Sequence, residues 1–212
     1  MKSYTEPVQS PTAVIAGIDE AGRGALAGPV VAAACILGED INPHPLIRDS
    51  KALSPKEREE ALVWIEMYCQ FGIGIVESEE IDRIRILSAT EKAMQEAVAN
   101  LAKENVPTYL LVDGRDKFWF DYPHSPLVHG DQLEPCISAA SIVAKVTRDR
   151  IMEEHAKKFS HYGFKRHKGY GTKDHTNAIQ EIGLCHLHRK TFLTKILTPS
   201  ALRSTAKVKR QQ

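Results

Sequence analysis

The sequence has no unbroken apolar run longer than Val30–Leu37, far short of the ~20 residues that a membrane-spanning helix needs. The first dozen residues carry Lys2, Glu6 and two prolines with no apolar stretch behind the charge. That predicts neither a secretory leader nor a membrane association, and a cytoplasmic protein. Cysteine is scarce. Cys35, Cys69, Cys136 and Cys185 are scattered, and no two have C-x-x-C spacing, which excludes a disulfide frame and predicts reduced, buried thiols. Cys185-His186-Leu187-His188 resembles half a metal site, but no second ligand pair follows it, so zinc is not expected there. There is no G-x-x-x-x-G-K-[ST] phosphate loop and no G-x-S-x-G nucleophile elbow. Net charge is only +1 over 212 residues, with 42% hydrophobic and 26% charged residues. Those proportions exclude a disordered chain, a collagen and a heptad rod, and fit an ordinary globular protein.

The charge is unevenly spread. Residues 57–104 hold eleven acids against five bases, whereas residues 145–175 hold nine bases against four acids. From Arg189 to the end there are seven bases and no acid. One basic side would suit a phosphate backbone. A charge run alone, however, is more often a solvated face.

Residues 1–12 are expected to form a flexible arm, residues 13–198 one catalytic domain with a helical C-terminal extension, and residues 199–212 a frayed basic tail. Ala13–Ile18 reads as a strand ending in Asp19-Glu20, and Val30–Leu37 as a second, buried strand. Ser54-Pro55-Lys56-Glu57 has the cap, the N1 proline and the capping-box glutamate of a helix start. Ala61, Leu62, Ile65, Tyr68 and Cys69 fall on one face behind it. Phe71–Val76 reads as a third strand. Ser88-Ala89-Thr90-Glu91 reads as a second capping box, with Ala93, Met94, Ala97, Val98 and Leu101 as the stripe that follows. Tyr109–Val112 is a strand ending in Asp113-Gly114, and a further short run ends at His129-Gly130-Asp131. Ser138–Phe159 is expected to be mostly helical, Tyr162–Gly171 a basic loop, and Thr172 the cap of a short helix ended by Gly183. The succession predicts an α/β fold with a mixed sheet.

Carboxylates at strand ends are the main chemical clue: Asp19-Glu20, Asp113 and Asp131. If the strands of Asp19 and Asp113 lie side by side and parallel, both acids project from the sheet edge where open α/β folds bind ligands. Acids gathered there repel unless a cation lies between them. Hard divalent ions with oxygen ligands meet that need, and two such ions suit in-line attack on a phosphodiester. Any one of these aspartates could instead simply cap a turn. A rival lies in Gly22-x-Gly24-x-x-Ala27 with Glu39, which matches a dinucleotide fingerprint and would make the protein an oxidoreductase. Against it, Asp19-Glu20 would set negative charge beside the pyrophosphate, and Pro29-Val30-Val31 suits a returning strand better than a phosphate-holding helix. A non-catalytic nucleic-acid-binding domain is the third possibility.

Gly17-Ile18-Asp19-Glu20-Ala21-Gly22-Arg23-Gly24 with Gly28-Pro29-Val30 resembles the opening signature of bacterial ribonuclease HII. The likeness continues through Asp49-Ser50-Lys51-Ala52-Leu53, Asp113-Gly114, Gly130-Asp131 and Ser138–Asp149. It then takes in His167-Lys168-Gly169-Tyr170-Gly171-Thr172 and His188-Arg189-Lys190-Thr191-Phe192, and is collinear over residues 14–192. The short N-terminal arm and Arg23 resemble HII rather than the sister family HIII. The resemblance implies a ribonuclease H-like mixed five-stranded sheet in the order 3-2-1-4-5. It implies an endonuclease, using two Mg²⁺ or Mn²⁺ ions, that cuts RNA in RNA–DNA hybrids and nicks DNA duplexes 5′ of a single ribonucleotide. Separately, a monomer is expected. Asp19, Glu20, Asp113 and Asp131 fall on the family's catalytic, metal-holding acids. Gly22, Arg23 and Gly24 fall on the loop that reads the 2′-hydroxyl, and Tyr170 on the tyrosine beside the adjoining deoxynucleotide. Lys51, Lys168 and Arg189 are candidate phosphate contacts. Gln132-Leu133-Glu134-Pro135-Cys136 departs from the family pattern, and Glu134 would add negative charge near the metals.

Overall fold

The computed structural model describes residues 13–38, 41–48 and 50–194. The expected arm, the tail beyond Pro199, Glu39 and Asp49 lie outside these described residues. Five strands form one sheet: β1 (Ile15–Ala21), β2 (Val30–Leu37), β3 (Cys69–Val76), β4 (Tyr109–Asp113) and β5 (His124–Leu127), in the order β3-β2-β1-β4-β5. β1 runs antiparallel to β2 and parallel to β4, and β4 runs parallel to β5. The mixed sheet and its order are those expected from the sequence. The strand of Asp19 does lie beside and parallel to that of Asp113.

The chain divides into two compact units. The first takes the chain up to Ala21, then Val31–Ile75 and Glu91–Val146. Here α1 (Pro55–Tyr68) begins as the sequence predicts, with Ser54 as cap, Pro55 in the first turn and a closed capping box to Glu57. Ala61, Leu62 and Ile65 join Ala33 and Cys35 of β2 and Ala139, Ile142, Val143 and Val146 of α5 (Pro135–Lys158) in one buried cluster. Tyr68, expected on the same face, is exposed instead, and Cys69 opens β3. The start of α5 lies so close to β1 that a β-carbon on Gly17 would overlap the backbone of Cys136 and Ile137. Only glycine admits that approach.

The second unit takes Gly22–Val30, Val76–Thr90 and the chain from Thr147. Its apolar cluster is built from Ala27, Met152, Tyr162, Phe164 and Leu187. A short helix, α2 (Ser78–Ile84), was not expected. Arg85, at φ 72°, ends α2, and α3 (Ile86–Leu101) starts at once. The second capping box is therefore corrected: Ser88 lies inside α3, and the Thr90 hydroxyl donates back to the Ile86 carbonyl at 2.9 Å. The apolar stripe behind it is buried as expected. A 3₁₀ turn at Ser160–Tyr162 leads into the expected basic loop, which contains a one-turn helix, α6 (Phe164–His167). Thr172 caps α7 (Lys173–Ile182), and Gly183 ends it, as predicted.

Candidate active site

Strand register brings the acids together within the first unit. Ile18 pairs with Val112 across β1 and β4, so Asp19 and Asp113 sit level on two parallel neighbours, Asp113 at the end of β4 and Asp19 two residues before the end of β1. Asp113 pairs with Leu127 of β5. The chain then turns through His129, at φ 58°, into the single turn α4 (Gly130–Leu133). That turn presents the Gly130 amide to Asp113 Oδ1 at 2.8 Å and sets Asp131 next to it. Asp131 is thus on a helical turn and not at a strand end.

Asp19 is 5% exposed and Asp131 3%. Burial, then the charges of Glu20 and Asp113, hold the Asp19 carboxyl well above the usual carboxylate range. Asp113 is raised in the same direction by its own desolvation and then by Asp131. Repulsion therefore links Glu20 to Asp19, Asp19 to Asp113, and Asp113 to Asp131. The opposing groups are few. Asp19 Oδ1 accepts the Glu20 amide at 2.6 Å, and the Ser141 hydroxyl also favours its charged form. The Lys51 ammonium lies 3.2 Å from Asp131 Oδ2, with its own side chain 76% exposed. The Ser138 hydroxyl donates to the Asp131 carbonyl at 2.7 Å. Among the described residues no three His, Cys, Asp or Glu side chains converge as a closed ligand group. Each aspartate instead rests on a local donor. The donor set is nonetheless all carboxylate oxygen, partly desolvated and short of positive charge. It fits a hard divalent cation and does not fit a soft one. Glu134 ends α4, with its amide on the Gly130 carbonyl at 2.8 Å.

The other candidates belong to the second unit. Gly22, at φ 95°, opens a turn closed by the Ala25 amide on the Gly22 carbonyl at 3.2 Å. Gly24 is exposed at its tip, and Arg23 is half-buried. The turn continues through Pro29 into the strand β2, not into a helix. The dinucleotide fingerprint thus lacks the helix N-terminus it requires. The amides of Leu26 and Ala27 both donate to the Gly169 carbonyl, at 2.8 and 3.2 Å. Tyr170 is half-buried and directly follows that carbonyl. Its own carbonyl accepts from the Thr172 amide at 2.8 Å and lies 3.0 Å from His175 Nδ1.

Lys168, at φ 50°, sets its ammonium on Glu153 Oε1 at 2.8 Å and on the Lys165 carbonyl. Arg189 is corrected as a phosphate contact. Its side chain is fully buried and donates to the carbonyls of Gly28 (2.9 Å), Gly22 (2.8 Å) and Arg23 (3.0 Å). A guanidinium enclosed in this way braces the turn from beneath. His186 is exposed while His188 is buried, so the two imidazoles do not face a common metal. Sequence reading missed Arg148. It is fully buried, and its three nitrogens donate to the carbonyls of Pro29 (2.9 Å), Lys168 (2.9 Å) and Ala27 (3.1 Å). The one available signal was an arginine two residues beyond Val146, on a helix whose Ala139, Ile142, Val143 and Val146 form the apolar side.

The chain matches the Ribonuclease HII family over residues 16–195. It is 48% identical over 192 residues to the ribonuclease HII of Syntrophus aciditrophicus, covering 90% of this chain and 89% of that one. To the ribonuclease HII of Thermotoga maritima it is 46% identical over 192 residues, covering 90% and 78%. Among solved structures, the ribonuclease HII of Archaeoglobus fulgidus, in complex with PCNA, superposes with a TM-score of 0.71 at 26% identity, covering 84% of this chain and 94% of that one. Bst-RNase HIII, in complex with Mn²⁺, shares the fold with a TM-score of 0.63 at 18% identity, covering 94% and 71%.

Proposed function

The chain belongs to the ribonuclease HII family, and from that premise we propose an enzyme that hydrolyses RNA in RNA–DNA hybrids. We propose further that it nicks duplex DNA on the 5′ side of a single embedded ribonucleotide, leaving a 5′-phosphate and a 3′-hydroxyl. The observation that carries the reading is the level placement of Asp19 and Asp113 on parallel neighbours, with Asp131 held beside them. Two divalent ions, Mg²⁺ or Mn²⁺, supply Lewis acidity and a water of lowered pKa when bound there. Asp19 and Asp131 would hold the ion that activates water, and Glu20 and Asp113 would help to hold the second. Lys51, already beside Asp131, keeps part of that charge neutral before loading and then faces a phosphate.

The Gly22-Arg23-Gly24 turn reads the ribose. Exposed Gly24 at its tip allows peptide groups to approach the 2′-hydroxyl, the sugar group that separates RNA from DNA. Arg23 holds a neighbouring phosphate. The Tyr170 ring packs on the adjoining deoxynucleotide, where an extra hydroxyl would clash. Lys168, whose ammonium lies on Glu153, is a further candidate phosphate contact. On this reading residues 13–198 form the catalytic part, and the protein acts in the cytoplasm as a monomer. No helix among the described residues is long and apolar enough to cross a membrane.

The test is a labelled DNA duplex with one ribonucleotide, incubated with Mg²⁺, Mn²⁺ or EDTA. A metal-dependent nick 5′ of the ribonucleotide is expected. Cutting of a long hybrid without that nick would remove the junction reading and leave the acid site. No cutting of either by folded protein would overturn both.

A further inference from the structure

The two recognition elements of the second unit are one assembly, and a buried arginine is what joins them. The Gly22–Pro29 turn and the Lys168–Tyr170 segment are bonded directly through the Gly169 carbonyl, which accepts the Leu26 and Ala27 amides. Arg148 reaches both. Nη2 and Nε donate to Ala27 and Pro29 on the turn, and Nη1 donates to Lys168 on the other segment. The face of the same guanidinium lies 5.1 Å from the centre of the Tyr170 ring, within cation–π range. Contact with the turn is tight enough that a β-carbon on Gly22 would overlap Arg148 Nε. Arg189 continues the brace to the Gly22 and Arg23 carbonyls.

A fully buried cation needs good hydrogen bonds to offset its desolvation. Arg148 finds them on backbone carbonyls of two segments that are about 120 and 20 residues away along the chain. A lysine could not replace that fork, because an ammonium cannot span three carbonyls in a plane and also stack on a ring.

We propose that Arg148 is a positioning residue that fixes Tyr170 relative to the Gly22-Arg23-Gly24 turn, and so sets the preference for a ribonucleotide–deoxynucleotide junction over continuous hybrid. It touches no substrate itself. The inference rests on the proposed roles of that turn and of Tyr170, and the experiment separates its failure from theirs.

The quantity measured is the ratio of kcat/KM on the single-ribonucleotide duplex to kcat/KM on a long RNA–DNA hybrid, for wild type, Arg148→Lys, Tyr170→Ala and the double variant. Arg148→Lys is expected to lower the ratio about tenfold, the scale of one lost charge-assisted hydrogen bond. In the Tyr170→Ala background the same change is expected to lower it less than about twofold further, because a residue acting through Tyr170 has nothing left to position. A general loss of stability lowers both activities and leaves the ratio alone. If Arg148→Lys does not fold, Arg148→Gln, which keeps one amide donor, takes its place in the cycle. An unchanged ratio in a folded Arg148 variant overturns the inference while Tyr170→Ala still lowers it. Equal losses in both backgrounds also overturn it. An unchanged ratio in Tyr170→Ala itself overturns the proposed role of Tyr170.

Discussion

Asp19→Asn should abolish cleavage and at the same time stabilise the metal-free protein. Asp19 is buried beside two other acids and is held above its ordinary pKa by burial, by Glu20 and by Asp113. Two like charges ~5 Å apart, the spacing of neighbouring strands, repel by about 3 kcal/mol at an effective dielectric of 20. Asp113 is only half-buried, and solvent screening reduces that figure to about 1–2 kcal/mol. Asparagine keeps the Oδ1 acceptor for the Glu20 amide and removes the charge. For a domain of this size the gain amounts to a rise in Tm of about 2–6 °C. The sign with pH follows from the raised pKa. Folded protein holds the Asp19 proton where unfolded chain has lost it, so the penalty is absent below the unfolded value of 3.8 and complete above the folded one. The Tm gap between variant and wild type should therefore be widest at pH 7–8 and close towards pH 4. Scanning calorimetry of both proteins in EDTA across that range reads it. A lower Tm for Asp19→Asn at neutral pH, or a gap independent of pH, would refute the account of the site as a cluster of unneutralised charge.

Divalent metal should reverse the ranking: at about a hundredfold excess over Kd, bound ion stabilises wild type by about 2.7 kcal/mol, and Asp19→Asn should not respond in the same titration. Lys51→Ala removes the ammonium 3.2 Å from Asp131; calorimetric titration should find Mn²⁺ binding about threefold tighter, while KM for duplex rises. Burial pushes both His175 and His188 down to about 4, so each folded imidazole resists protonation. Stability is complete above about pH 6.5 and falls towards pH 4 by up to about 3 kcal/mol per residue, and His188→Gln should flatten that loss in urea titrations. Gly17→Ala would drive a methyl into the Cys136–Ile137 backbone and should lower stability by about 3 kcal/mol without changing the cleavage site.

Local signals survived into the structure wherever the interaction itself is local. Ser54 and Glu57 close their capping box within one turn, and Thr172 caps α7 through the His175 amide. Tyr109–Asp113 ends in its aspartate just where the apolar run ends. The misreadings have an equally local cause. Ser88 and Thr90 have the chemistry of a cap, but a hydroxyl inside a helix has a second option, the carbonyl one turn back, and Thr90 takes it. The α2 segment, with Glu79, Glu80, Asp82 and Arg83 in seven residues, has too few apolar positions to announce a helix by periodicity. Arg148 and Arg189 were illegible for another reason. Their partners are backbone carbonyls up to 167 residues away, and a carbonyl leaves no mark in the sequence. An arginine paired with a distant peptide group reads the same as one on the surface.

The acids were found by chemistry and the arginines were not, yet the two sets share one physical property. Each unit buries like charges that lack counter-charges of the usual kind. The first gathers Asp19, Asp113 and Asp131, with the Lys51 ammonium on Asp131. The second buries Arg148 and Arg189 on backbone carbonyls and aromatic faces, and burial followed by the charge of Arg148 pushes the Arg189 guanidinium down to about 9. One nitrogen of Arg189, Nη2, is buried without a hydrogen-bond partner. The carboxylate cluster is not the arrangement of lowest energy for the chain alone, since uncharged residues of similar volume would avoid the repulsion and the desolvation. A divalent cation relieves the carboxylates, whereas the guanidinium pair is sealed beneath the turn and is offset by the carbonyls it braces. The ligand-free fold therefore carries in advance the electrostatic reorganisation that phosphodiester hydrolysis would otherwise demand at the moment of reaction. On this argument, variants that stabilise the empty protein by removing one of the carboxylate charges should be the ones that lose activity first.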